Sequence, residues 1–183
     1  GEGLADVTGL IGQYAHGNEP SHHVTYLYAL AGRPERTQEL IREIFDTQYR
    51  NKPDGLCGND DCGQMSAWYM FNCIGFYPVA PSSNIYNIGS PCVEAITVRM
   101  SNGKLIEMTT ENWSQENVYV KELYVNGKKY GKSYLRYEDV CDGVKLRFVM
   151  SNRPNYKRAI SDEAVPPSLS LPGKTMKYQS NHV

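Results

Sequence analysis

The sequence is poor in several residue types, and each shortage excludes a class of protein. Its 183 residues contain five cysteines, four phenylalanines and two tryptophans. Five cysteines without zinc-type spacing exclude a zinc-finger framework and leave at least one thiol unpaired within the chain. No apolar run reaches the roughly 18 residues that a membrane-spanning helix needs. The formal net charge of -1 offers no basic surface for nucleic acid.

The cysteines do not decide the redox compartment. Cys57 and Cys62 flank a short acidic run, so a small disulfide loop is one alternative there. Buried, reduced thiols are the other alternative and the commoner case. The sequence leaves both open.

Residues 1–80 have the spacing of helices. Apolar side chains fill 24–31, and Pro34 suits the first turn of a second helix. The buried stripe of that helix is predicted to be Leu40, Ile41, Ile44 and Phe45. Its outward face is predicted to be Glu35, Arg36, Glu39, Arg42 and Glu43. A third helix is predicted over 64–73, with Gly75 ending it.

From about residue 85 the apolar period changes to two, which indicates β-strands. Strands are predicted over 93–100, 104–110, 118–125, 133–137 and 144–150. Asn-Gly at 102–103 and 126–127, and Asp-Gly at 142–143, supply turns. This spacing favours an antiparallel, sandwich-like region over 81–160.

The two periodicities predict an α+β chain in three parts. Three helices cannot form a closed helical array, so we expect 1–80 to be the end of a larger helical domain. The strand region over 81–160 follows it. Residues 161–183 are rich in serine, proline and lysine and are expected to be an extended tail or tag. The chain starts with Gly-Glu-Gly rather than methionine, so we expect a piece of a longer protein.

Two polar runs are the candidates for function. Residues 16–23 read His-Gly-Asn-Glu-Pro-Ser-His-His, and residues 59–64 read Asn-Asp-Asp-Cys-Gly-Gln. Adjacent carboxylates just before a helix commonly cap free N–H groups. The same groups are needed for acid–base chemistry on sugars or for a hard-metal site. Zinc is disfavoured, because adjacent histidines point apart and no spaced ligand completes a set.

These runs resemble glycoside hydrolase family 92, together with Met-Ser-Ala-Trp-Tyr at 65–69, Gly-Phe-Tyr-Pro-Val at 75–79 and Ile-Gly-Ser-Pro at 88–91. The likeness extends in order from about residue 6 to residue 154. Members of this family are exo-acting, calcium-dependent, inverting α-mannosidases in which a β-sandwich precedes an (α/α)6 barrel. The resemblance implies that this chain is the C-terminal portion: the last helices of the (α/α)6 barrel and the antiparallel strands after them.

The resemblance also implies roles for several polar residues of the two runs. Asp61 would be the general base that activates water, with Asp60 as its neighbour or as the alternative base. Two adjacent carboxylates raise each other's pKa unless a cation lies beside them. Glu19 would bind that cation, Ca²⁺, with the amide oxygen of Asn18 as a second ligand.

Four further residues would bind or border the sugar: His22, His23, Gln64 and Trp68. The two histidines would contact hydroxyl groups or order the Glu19 loop through hydrogen bonds. Trp68 has apolar neighbours at helical spacing, which favour a place in the core.

The implied activity is hydrolysis of terminal mannose from mannose-containing glycans with inversion, of the α-1,2 type. The family's general acid is a glutamate in a Glu-Gly-Asn-Ala-Trp-like motif, which this sequence lacks. We therefore expect the isolated chain to be inactive. Its partners would be the missing N-terminal β-sandwich and the remaining barrel of the same protein. The resemblance also implies a periplasmic or extracellular location.

A non-catalytic alternative stays open at this point. The chain has 14 tyrosines, and a flat ring with a polar tip suits a sugar platform as well as a strand. On that interpretation the strand region is a carbohydrate-binding module. A third interpretation makes it a structural brace for the helices.

Overall fold

The structure, a computed structural model, describes residues 7–167 and is α+β, as the two periodicities predict. Its helices are α1 Leu27–Leu30, α2 Pro34–Gln48, α3 Gln64–Ile74 and α4 Tyr137–Val140. Its strands are β1 Leu10–Ile11, β2 Tyr14–Ala15, β3 Phe76–Tyr77, β4 Ile85–Ile88, β5 Ala95–Arg99, β6 Leu105–Glu111, β7 Tyr119–Val125, β8 Lys128–Lys129, β9 Tyr134–Arg136 and β10 Val144–Ser151. Short 3-10 turns occupy Glu19–Ser21, Val24–Tyr26 and Pro81–Ser83.

The second and third predicted helices form close to their predicted bounds. Pro34 begins α2, where its missing N–H costs no hydrogen bond. The helix predicted over 24–31 is instead a 3-10 turn followed by the single turn α1. Before it, β1 and β2 form a small hairpin, with Leu10 opposite Ala15. The N-terminal part is therefore less helical than its composition predicts.

Two residues of α2 that were predicted to face outward are buried, which corrects that prediction. Glu35 and Arg42 are each 4% exposed. Glu35 accepts a hydrogen bond from Arg33 at 2.5 Å. Arg42 donates to the carbonyl oxygens of Pro91 at 3.2 Å and Ser114 at 2.9 Å. Helical periodicity could not reveal these partners, since those of Arg42 lie far along the chain.

Two sheets share one apolar core. The larger sheet has the strand order β5-β6-β10-β7-β8, and the smaller has the order β3-β4-β9. The five strands predicted from residue 93 onward correspond to β5, β6, β7, β9 and β10. Both sheets contribute to the same buried cluster, which includes Phe76, Ile88, Met108, Leu123, Leu135 and Phe148.

The expectation of a wholly antiparallel region is wrong for one pair of strands. β10 runs parallel to β6, with Val144 opposite Ile106. It runs antiparallel to β7 on its other side, with Phe148 opposite Leu123. The alternating residues Val144, Leu146, Phe148 and Met150 are all buried. A period of two reveals which face is buried, but it leaves the neighbour and the direction of the strand open.

The helical part is anchored on the larger sheet through α2. The side-chain oxygen of Gln38 accepts the Val120 N–H at 3.0 Å. The Tyr119 hydroxyl donates to Glu39 at 2.6 Å. With the Arg42 contacts, these bonds fix α2 to β7 and to the loop before it.

The division of the chain near residue 80 stays a prediction, and the smaller sheet includes residues on both sides of it. β3 at Phe76–Tyr77 already pairs with β4, so the smaller sheet begins before residue 80. The carbonyl oxygen of Ala164 accepts the N–H of Ser133 at 2.7 Å and its hydroxyl at 2.9 Å. Residues 161–167 are thus described next to the sheet. The rest of the predicted tail, 168–183, lies outside the described residues.

The cysteines are free thiols, so Cys57 and Cys62 do not form the disulfide loop that their spacing allows. Within residues 7–167, no helix is long and apolar enough to cross a membrane.

Replacing Gly75 with alanine is expected to destabilise the fold strongly. Gly75 ends α3 at φ 100°, and a Cβ there would lie 2.8 Å from Cζ of Phe148. The left-handed backbone costs about 1–2 kcal/mol for alanine, and the overpacking about 1–3 kcal/mol more. Gly127→Ala is the matched control, because Gly127 has φ 79° but nothing within 4 Å of an added Cβ. Urea unfolding of both variants measures the difference, and equal losses would contradict the proposed clash.

Candidate active site

The two polar runs lie against each other at a pair of glycines. A Cβ on Gly58 would lie 3.1 Å from the Gly17 Cα and 2.8 Å from Oγ1 of Thr8. A Cβ on Gly17 would lie only 1.9 Å from the same Thr8 oxygen. The Gly17 N–H also donates to the Thr8 carbonyl at 3.1 Å. The absence of a side chain at both positions therefore lets the backbones approach closely at Thr8.

Asp61 and Glu19 are carboxyl groups that meet close to this approach. A hydrogen bond with Glu19 raises the pKa of Asp61, and a small loss of solvation and the negative charges of Glu19 and Asp60 act in the same direction. Asp61 is exposed and has a φ of 45°, in the left-handed region that aspartate tolerates better than most residues. Backbone conformations of this kind cluster at functional sites. The two runs therefore form one acidic pair.

Asp60 has a different task from its neighbour. Its Oδ1 accepts the N–H of Ser66 at 2.9 Å and the Ser66 hydroxyl at 2.8 Å. These bonds satisfy a free N–H in the first turn of α3. The capping alternative is thus the observed geometry for Asp60. Its role as an alternative base stays a prediction.

The loop with Asn18 and Glu19 is shaped by a single 3-10 turn, Glu19–Ser21, with Pro20 in its first positions. Asn18 precedes this turn, and its side chain makes no capping hydrogen bond. The Asn18 amide oxygen and the Glu19 and Asp61 carboxylates are hard oxygen donors of the type that Ca²⁺ prefers. Across residues 7–167, however, no group of three or more histidine, cysteine, aspartate or glutamate side chains is placed to hold a metal ion.

A cleft of about 230 Å³ lies beside Glu19. It is lined by Glu19, Pro20, His22, His23, Gln64, Ala67, Phe71, Tyr77, Pro78, Val79 and Pro81. Three of the four residues predicted to bind or border the sugar are therefore brought together here. His23 is exposed at the cleft, whereas His22 is only 1% exposed.

His22 is held by hydrogen bonds at both ring nitrogens. Its Nε2 lies 2.9 Å from the carbonyl oxygen of His16, which can only accept, so Nε2 carries the proton. Its Nδ1 then accepts a hydrogen bond from the Gln64 amide nitrogen at 3.1 Å. Burial lowers the pKa of His22, and the bond to the His16 carbonyl opposes this in part. His22 is therefore a neutral side chain that holds Gln64.

His16 is the residue that sequence reasoning missed. The Tyr14 hydroxyl lies 2.8 Å from its Nδ1, and the Tyr49 hydroxyl lies 2.7 Å from its Nε2. Tyr49 donates its own proton to the Met65 carbonyl at 3.1 Å, so it accepts from His16. Burial lowers the pKa of His16 to about 3. The His16 ring stacks on the His22 ring at a centroid distance of 4.8 Å. In the sequence, the only sign of a role for His16 is its position in the first polar run.

Trp68 lies in the core beneath these histidines and is fully buried. Its Nε1 donates to the His22 carbonyl at 3.2 Å, and its ring contacts the His16 ring edge-on at 4.5 Å. The apolar helical neighbours of Trp68 had favoured this core position. That Trp68 borders the sugar stays a prediction. Its observed contacts hold His16 and His22 in place.

A larger cleft of about 950 Å³ lies elsewhere, between α2, α3 and the loop at 113–116. None of the predicted site residues lines it. The smaller cleft is the better candidate for the active site, because it is lined by Glu19 of the acidic pair and by the hydrogen-bonded His22. Catalysis depends on well-placed polar groups rather than on the volume of a cleft.

Substitutions of the neighbouring residues Asp60 and Asp61 are expected to have different effects on stability. Asp60→Ala removes a helix-capping acceptor and should lower the free energy of unfolding by about 1 kcal/mol. Asp61→Asn should leave it unchanged or raise it at pH 7. The folded-state pKa of Asp61 lies above its ordinary 3.8, so its ionisation destabilises the fold as the pH rises through that pKa.

Urea unfolding at pH 7 in a chelator measures both effects. Asp60→Asn is the matched control, since an asparagine oxygen still caps the helix. A loss of stability in Asp61→Asn as large as that in Asp60→Ala would contradict the assignment.

Known proteins resemble this chain closely. Residues 2–152 match the glycosyl hydrolase family 92 catalytic domain. A solved family GH92 α-mannosidase of Bacteroides thetaiotaomicron, in complex with mannoimidazole, is 74% identical with a TM-score of 0.91, over 98% of this chain and 24% of its own. A family GH92 inverting mannosidase of Bacteroides thetaiotaomicron VPI-5482 is 36% identical with a TM-score of 0.80, over 87% of this chain and 22% of its own.

A curated relative points the same way. An uncharacterized secreted glycosidase of Arthroderma benhamiae is 31% identical over 156 residues, which are 84% of this chain and 20% of that protein. The chain thus spans about a quarter of the solved relatives' length and a fifth of the curated relative's. Since the family match covers most of the sequence and both polar runs, the chain belongs to glycosyl hydrolase family 92.

Proposed function

We propose that this chain is part of an exo-acting α-mannosidase that removes terminal mannose from glycans with inversion of configuration. The observation that carries the proposal is the contact between Asp61 and Glu19, two carboxyl groups from separate runs that meet beside a cleft with placed polar side chains. The α-mannosidase and inverting mannosidase relatives support the reaction type. The α-1,2 type of linkage belongs to the proposal as well.

In this proposal Asp61 is the general base. Its carboxylate takes one proton from a water molecule, and the water oxygen bonds to the anomeric carbon. The bond from that carbon to the leaving oxygen breaks at the same time, and the leaving oxygen takes a proton from a general acid. This sequence lacks the family's Glu-Gly-Asn-Ala-Trp-like motif, so the acid belongs to another part of the protein.

Asp61 is suited to this work by its exposure and by its hydrogen bond with Glu19. The negative charges of Glu19 and Asp60 raise the pKa of Asp61. A carboxylate with a raised pKa binds a proton more strongly once it is ionised, as a general base requires. The Asp60 carboxylate is hydrogen-bonded to Ser66 in the first turn of α3. Asp61 is therefore the carboxylate of this run that interacts with Glu19.

The residues present fit a calcium site in part. Glu19 and the amide oxygen of Asn18 would hold the ion, with water, backbone and sugar oxygens completing its six to eight ligands. When bound, Ca²⁺ supplies positive charge that offsets the repulsion between Glu19 and Asp61, and oxygen-binding positions for sugar hydroxyl groups. The negative charges of Glu19 and Asp60, which both act on Asp61, support this assignment.

The helical and strand parts have separate roles in this proposal. The helices are the last ones of an (α/α)6 barrel, and the two sheets form a sandwich-like brace beside it. The bonds from α2 to β7 favour the brace over a sugar-binding module.

Strand tyrosines also argue against a sugar platform. Tyr119 donates to Glu39, Tyr124 donates to Glu122 and lies under Arg147, and Tyr130 donates to the Tyr134 carbonyl. Polar tips and ring faces that are already engaged leave less surface for stacking on a sugar.

Because the general acid belongs to another part of the protein, we propose that the isolated chain does not hydrolyse mannosides. The missing N-terminal β-sandwich and remaining barrel of the same protein are its partners. A periplasmic or extracellular location is supported by the secreted relative.

Asp61→Asn in the complete protein should reduce turnover of an α-mannoside by about 10²–10⁴-fold, the usual contribution of a general base. Asp60→Asn is the control, and it should lose far less, because asparagine keeps the cap on α3. Rates are followed by release of mannose, and circular dichroism confirms that both variants fold.

The product anomer tests the same proposal independently. Proton NMR of the first mannose released should show the β anomer, as inversion of an α-mannoside requires. A near wild-type rate in Asp61→Asn would assign the base elsewhere, and release of the α anomer would exclude inversion.

A further inference from the structure

We propose that Gln64 and Tyr77 form a donor–acceptor pair that binds one hydroxyl group of the sugar in the cleft beside Glu19. This inference rests on the proposed function, because it names new contacts at the same site. Tyr77 lies in the Gly-Phe-Tyr-Pro-Val motif at 75–79, to which the sequence assigned no role.

The orientation of the Gln64 amide follows from its neighbours. Its nitrogen lies 3.1 Å from Nδ1 of His22 and 3.0 Å from the Tyr77 hydroxyl. His22 Nδ1 must accept, because Nε2 of the same neutral ring donates to the His16 carbonyl. An amide nitrogen has two hydrogens, and both are now used. The group next to Nδ1 is therefore the nitrogen rather than the oxygen of the amide.

This orientation leaves the Gln64 oxygen as the free end of the side chain. Among the residues that the structure describes, no hydrogen bond to this oxygen is found, and Gln64 is half-buried and lines the cleft. A side-chain carbonyl oxygen accepts hydrogen bonds only. Gln64 therefore offers one fixed acceptor at the cleft.

Tyr77 supplies the complementary donor. Its hydroxyl oxygen accepts from Gln64, so its own proton is available for another acceptor. Within residues 7–167 no acceptor for that proton is found, although Tyr77 is only 8% exposed and lines the same cleft. Its ring is fixed by stacking on Tyr26 at a centroid distance of 5.6 Å.

A sugar hydroxyl matches this pair because it donates one hydrogen bond and accepts others. The Gln64 oxygen and the Tyr77 proton belong to two side chains that are themselves hydrogen-bonded, so both can reach one small group. The cleft of about 230 Å³ is smaller than the roughly 300–1,000 Å³ of pockets for drug-sized ligands. That size suits a single terminal sugar, the unit that an exo-acting enzyme removes.

The test measures binding of mannose and its 2-, 3-, 4- and 6-deoxy analogues to the complete protein by calorimetry. The wild-type protein should bind one analogue roughly 3- to 10-fold more weakly than mannose because of the lost hydrogen bonds. Tyr77→Phe and Gln64→Met should each weaken mannose binding, and each should reduce the penalty for that same analogue. The control is Tyr86→Phe, since Tyr86 does not line this cleft, and it should leave all five affinities unchanged.

The outcomes separate this inference from the proposed function. If both site variants bind all five sugars as the wild type does, or weaken all five equally, the pair is excluded while the mannosidase proposal stands. If the wild-type protein neither binds mannose nor releases it from mannosides, the proposed function fails and the pair with it. Circular dichroism checks folding, and the two variants decide the matter separately if one of them does not fold.

Discussion

The close approach of two loops at Gly17 and Gly58 is the constraint on which the rest of the site depends. A Cβ at either position would lie too close to Oγ1 of Thr8, at 1.9 Å from Gly17 and 2.8 Å from Gly58. Loop backbones normally stay apart because their side chains keep them apart, and here the side chains are missing on both sides. This approach brings together the loops that carry Glu19 and Asp61, which lie far apart in the sequence and share a hydrogen bond.

Beneath that approach lies a polar layer in which the described partners are matched. His16 is held between two tyrosine hydroxyls, His22 between a backbone carbonyl and Gln64, and Trp68 donates to the same loop. Buried polar groups cost free energy unless they are hydrogen-bonded, so a satisfied layer of this kind favours one arrangement over its alternatives. Through Gln64 and Trp68, this layer attaches the loop that carries Glu19 to α3.

The sequence predicted what depends on local pattern and missed what depends on distant partners. Bounds of α2 and α3 and five strands of the sheets followed from periodicity, Pro34 and Gly75. The parallel pairing of β10 with β6 could not be predicted in this way, because a strand has a period of two in either direction. The burial of Arg42 depends on carbonyls of two distant loops. Likewise, the adjacent residues Asp60 and Asp61 look alike in sequence, and only the Ser66 bonds and the Glu19 contact assign them different tasks.

Glu19 and Asp61 form one pair, and a titration of the carboxyl groups of this chain measures that pairing directly. Carbon-13 NMR in a chelator follows Asp61 in the wild type and in Glu19→Gln, with Glu43→Gln on the exposed face of α2 as the control. We expect the pKa of Asp61 to lie above its ordinary value of 3.8 in the wild type and in the control. In Glu19→Gln we expect a lower pKa, because a negative charge is lost and an amide donor is gained. An Asp61 pKa that is the same in all three proteins would contradict the pairing.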